Sequence, residues 1–157
     1  MKINTGISDR NRNESVKILN QLLSDEYVLY TKTRNYHWNV TGPDFSELHK
    51  FFESQYEELD GIIDETAERA RSLGGRPFGT LKEFLHETRL KEFPADDPDA
   101  RKMTARLLED HELMIRNLRR DLTLCAEKYS DMGTSDFLTG LMERHEKMAW
   151  TLRACLD

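Results

Sequence analysis

Two histidines and three acids in the first half of the chain have the types and spacing that could hold a metal ion. His37 and His49 stand twelve residues apart on either side of a Thr41-Gly42-Pro43 break, and Glu53 follows His49 by four. Asp64 and Glu68 repeat the four-residue interval further on. Residues four apart share one helix face. At about 100° per residue, His49, Glu53, Asp64 and Glu68 fall within a stripe roughly 100° wide. Imidazole nitrogens and carboxylate oxygens together suit iron, with positions left open for an oxidant.

One chain cannot close that site. Glu53 and Asp64 are eleven residues apart, about 16 Å along a helix axis, whereas metal–ligand bonds are near 2 Å. An antiparallel second copy resolves the difficulty. If a two-fold axis passes near Glu58 and Leu59, His49 and Glu53 of one chain face Asp64 and Glu68 of the other, and an isologous interface makes two such sites at once. His37 is returned toward His49 by the tight turn. Asp60 also lies on the stripe, but near the axis it would meet its own symmetry mate, so it is left out of the site. A self-contained di-iron bundle needs two Glu-x-x-His motifs. The chain has one, Glu83 to His86, in a connecting segment, so the intrachain version is excluded.

The elements that must position these residues are helical. Apolar residues Val16, Leu19, Leu22, Leu23, Tyr27 and Tyr30 recur at threes and fours, predicting a helix from about Ser15 to Val40. Asp44 with Glu47 resembles a capping box for a second helix running to about Leu73, where Gly74-Gly75 supplies a stop. A connection of more than twenty residues follows, too long to be structureless, and residues 80–87 predict a short helix within it. Asp97 as cap and Pro98 in the first turn open a third helix that runs to about Tyr129. The last helix is expected from near Thr134 almost to Asp157. The fold class is therefore all-α: a four-helix bundle of the ferritin-like kind with a short extra helix in the long middle crossover. One domain spans 1–157, with 1–13 expected as a flexible N-terminal arm.

The net charge of −6 gives no general attraction for DNA. Lys2, Arg10 and Arg12 near the N-terminus are diluted by Asp9 and Glu14, and the C-terminal residues offer no basic tail. No apolar run is long enough to span a bilayer, and no signal-peptide pattern is present. The two cysteines, Cys125 and Cys155, lack CxxC spacing and read as reduced thiols of a cytoplasmic protein. His86, His111 and His145 read as surface or packing residues, and Met103, Met114, Met142 and Met148 as core filler.

At the metal-ligand residues the sequence resembles the Dps family of miniferritins along nearly its whole length. The resemblance rests on "YHWNVTGPDFSELHKFFE", "IIDETAERARSLGG" and "GTLKEFLHET". It implies a ferroxidase centre across a subunit two-fold, formed by His37, His49 and Glu53 with Asp64 and Glu68 of a second subunit. It further implies a homo-oligomeric, dodecameric hollow shell that oxidises Fe(II), preferably with hydrogen peroxide rather than O2, and stores ferric mineral, limiting oxidative damage to cell and DNA. Zinc or manganese are possible substitutes for iron. Trp38 matches a family tryptophan close to the site that intercepts stray oxidising equivalents. Acids of the last helix, Asp136, Glu143 and above all Glu146, correspond to a region that lines iron-entry pores. Two departures stand out: many members carry Asp where this chain has Glu53, and the lysine-rich tail that gives some members DNA binding is missing. DNA binding is accordingly expected to be weak or absent; a nucleoid-binding protein with an incidental metal site is the alternative reading.

Overall fold

In the computed structural model, which describes residues 3–157, the chain forms α1 (Asp9–Asn39), α2 (Phe45–Ser72), a short α3 (Leu81–Glu87), α4 (Ala100–Thr123) and α5 (Met132–Ala154). α4 ends in one π-helical turn, Leu124–Lys128. α1 pairs with α2 and α4 with α5, each pair joined by a tight turn, and the long crossover carrying α3 links the two hairpins. The all-α, ferritin-like bundle is thus as expected.

The apolar stripes meet in one core, with Leu19, Leu29, Phe52, Leu59, Ile62, Leu107, Met114, Leu138 and Leu152 fully buried. α2 ends in a Schellman stop: Gly74 takes φ +83, its N–H donates to Arg71 O at 2.8 Å, and the Gly75 N–H donates to Ala70 O at 2.9 Å. A Cβ on Gly75 would stand 2.4 Å from Val16 Cγ1, so the end of α2 packs directly on α1 only because that residue has no side chain.

Three boundaries differ from the sequence reading. α1 starts at Asp9, capped by Ser8, so residues 9–13 are helix rather than flexible arm. The cause is long-range: buried Arg12 donates to Leu73 O at 3.2 Å and also reaches Ile3 O and Ile7 O. Asp44 is the residue before α2 but its side chain makes no capping bond; the reciprocal capping box is instead Thr80 with Glu83, at the start of α3. α4 is capped by Asp99, whose carboxylate accepts from the Lys102 N–H at 2.7 Å, two residues past the expected Asp97.

The crossover is held by charge as well as by packing. Asp25 on α1, fully buried, accepts from the Arg89 N–H at 2.6 Å and from Arg89 Nε at 2.7 Å, and the same guanidinium reaches Asp121 of α4 at 3.2 Å. Phe84 of α3 stacks on Tyr27, centroids 4.4 Å apart.

Candidate metal centre

The turn after α1 folds α2 back so that His37 and His49 meet. Their rings stack with centroids 3.7 Å apart. The His37 Nδ1–H donates to His49 O at 2.7 Å, and the His49 Nδ1–H donates to His37 O at 2.8 Å. A carbonyl only accepts, so both Nδ1 atoms must carry hydrogen, and the neutral tautomer that fits these bonds has its lone pair on Nε2. Backbone bonds of this kind fix tautomer and orientation in metal-binding histidines. The pair is reciprocal, each residue supplying the acceptor for the other.

Glu53 lies one turn further along α2 and accepts from Tyr56 O–H at 3.2 Å. Tyr56 also sets its ring edge-on to His37, centroids 5.3 Å apart, and carries the Arg34 guanidinium over its face at 4.6 Å. Burial, followed by the hydrogen bond to Glu53, raises the Tyr56 phenol above its usual range. Tyr56 is the residue the sequence reading missed. The available signal was its spacing, three residues after Glu53 and seven after His49, on the same helix face. Trp38 is mostly exposed, with Arg34 5.4 Å over its ring.

Asp64 and Glu68 are exposed, just over three and four turns beyond Glu53. Among the described residues neither enters an ion pair, whereas their neighbour Glu65 is tied with Glu58 to Arg144 of α5 at 2.7 and 2.6 Å. The structure therefore brings His37 and His49 together, places Glu53 beside them, and leaves Asp64 and Glu68 at the far end of the same rigid helix. Among the described residues of a single chain, no group of three or more His, Cys, Asp or Glu side chains converges as a metal cage.

Residues 16–157 match the family profile of the ferritin-like domain. The chain is 39% identical over 142 residues to DNA protection during starvation protein 2 of Bacillus anthracis, covering 90% of this chain and 96% of the relative. The chain belongs to the Dps family of ferritin-like proteins. A low temperature-induced, uncharacterized protein of Nostoc is 47% identical over 156 residues, 99% of this chain and 87% of the relative. Among solved structures, a Dps protein of Vibrio cholerae O1, described as one of a broad superfamily of ferritin-like diiron-carboxylate proteins, superposes with TM-score 0.92 at 34% identity, covering 100% of this chain and 98% of the other. A Dps protein from Bacillus brevis gives 0.89 at 34%, over 96% and 100%. Membership in this Dps family carries iron storage and protection as the general role. Among the described residues no helix is long and apolar enough to cross a membrane.

Proposed function

We propose that this Dps chain is a ferroxidase that stores its product. His37, His49 and Glu53 of one subunit and Asp64 and Glu68 of a two-fold partner bind Fe(II), hydrogen peroxide oxidises it, and ferric mineral is kept inside a hollow dodecamer in the cytoplasm. The observation that carries this reading is the reciprocal His37–His49 lock, which occupies both Nδ1 atoms and leaves the two Nε2 atoms of one turn as the ring positions open to a metal. The unpaired carboxylates of Asp64 and Glu68 support it, since acids on an interface stripe are costly to bury without a cation. Glu53 adds an oxygen donor oriented by Tyr56. Zinc and manganese fit the same nitrogen and oxygen donors and compete for the site. Trp38, beside His37, is assigned to intercepting oxidising equivalents that escape it.

The test is peroxide-driven oxidation of Fe(II) loaded anaerobically into metal-free protein, followed by ferric absorbance and by the solubility of the iron. Rapid oxidation with iron kept in solution is expected, slowed about tenfold or more in His49→Ala. Oxidation no faster than in buffer, or an unaltered rate in the variant, would remove the assigned site.

A further inference from the structure

In the bundle core, away from the two-fold stripe, three helices bring together a second set of donors. His111 of α4 and His145 of α5, both fully buried, approach with Nδ1 atoms 2.9 Å apart. On the other side of the His145 ring, its Nε2–H donates to Glu26 Oε1 of α1 at 2.8 Å. Among the described residues Glu26 Oε2 and His111 Nε2 find no hydrogen-bond partner. The carboxylate fixes His145 as the tautomer whose Nδ1 lone pair points at His111. A buried carboxylate bonded to the far nitrogen of an imidazole is the arrangement that supports metal-bound histidines.

Each histidine is followed three residues later by a buried methionine, Met114 on α4 and Met148 on α5. Positions three apart share a face, and helix side chains lean toward the N-terminus. Each methionine therefore shares the core-facing side of its helix with the histidine one turn before it. We propose that His111, His145, Met114 and Met148 form a core site for a soft monovalent cation, Cu(I), with Glu26 orienting His145 behind the coordination shell. Two imidazoles and two thioethers are a soft set that selects Cu(I) over iron or manganese. The charge also fits: a monovalent ion neutralises the buried Glu26 carboxylate, whereas a divalent one leaves an excess in the core. Binding moves the His111 proton from Nδ1 to Nε2. Donors around a tetrahedral ion with bonds of about 2.0–2.1 Å stand about 3.3 Å apart, so the two nitrogens separate by about 0.4 Å. This site is independent of the ferroxidase reading.

The experiment uses the full-length chain in a Cys155→Ser background, which removes the exposed thiol. Metal-free protein is given Cu(I) anaerobically and warmed, so that transient opening of the bundle admits the ion, until uptake stops. The retained copper is then challenged with bicinchoninate and examined by X-ray absorption. One Cu(I) per chain with mixed nitrogen and sulfur scattering is expected. Met114→Leu with Met148→Leu, a volume-conserving pair that keeps the fold, should lose the sulfur and weaken retention by roughly tenfold or more. No retained copper, a shell of nitrogen alone, or an unchanged sulfur signal in the paired variant would overturn the proposal.

Discussion

At the residue scale the candidate centre is a matter of which atom holds each proton. His37 and His49 make each other's backbone carbonyl an acceptor, so neither ring is free to turn its Nδ1 toward a metal. The Tyr56 hydroxyl donates to the Glu53 carboxylate and holds it. Tyr56→Phe removes that bond and little volume. It should weaken Fe(II) binding by roughly tenfold, the usual effect of losing a group that orients a ligand, with the helix content unchanged; calorimetric titration of Fe(II) under anaerobic conditions reads this directly. That the two histidines meet was legible in the sequence, because the short turn between Asn39 and Phe45 folds α2 back along α1. Tyr56 was not, because a tyrosine in an amphipathic helix has many uses. His111 and His145, read as surface or packing residues, prove fully buried and bonded. The signal was present: Leu107, His111, Met114 and Leu118, and Leu138, Leu141, His145, Met148 and Leu152, are continuous core stripes.

At the element scale the number and order of helices followed from periodicity, while their ends were decided by contacts that no local window contains. α1 gains its first turns from Arg12 bonding to Leu73, sixty-one residues away. The Asp44 side chain fails to cap because the backbone there sits at φ −95, ψ 17 rather than in the extended region a cap requires. The Gly74-Gly75 stop was legible and is stringent. Gly75→Ala drives a methyl into Val16 and should cost about 1–3 kcal/mol, seen as a lower midpoint in urea. The Thr80–Glu83 box gives α3 a pH dependence. Backbone and hydroxyl bonds from Gly79 and Thr80 hold the Glu83 carboxyl from its ordinary 4.5 down to about 2. A depressed carboxyl stabilises the fold fully above its unfolded value and loses that contribution as pH falls. The α3 amides should therefore exchange faster as pH drops from about 4.5 toward 2, after correction for intrinsic rates. Glu83→Gln should flatten that dependence.

At the scale of the whole molecule, the long helix α2 presents donors at one end and acceptors of positive charge at the other. A two-fold pair of such helices makes a simple prediction for mixed assemblies. His49→Ala subunits alone, and Asp64→Ala/Glu68→Ala subunits alone, are both expected to run at about a tenth of the wild-type rate or less. When the two are unfolded and reassembled together, half of the random pairs are mixed, and each mixed pair contains one site with all its ligands. About a quarter of the wild-type ferroxidase rate should return. No recovery from shells of normal mass would mean that each chain completes its own site. The same field argument applies to nucleic acid. With a net charge of −6, a gel shift at low salt is expected to be absent, and a salt-sensitive shift would assign the protein a DNA role that its charge does not support.

The distance along α2 has a consequence for timing. On the proposed reading, the separation of Glu53 from Asp64 by some 16 Å of rigid helix means that a newly made chain carries the parts of the catalyst but not the catalyst. Activity in a dilute solution of subunits should rise with the square of their concentration. A cell would thus acquire the power to oxidise iron only as it acquires the container in which to put the product.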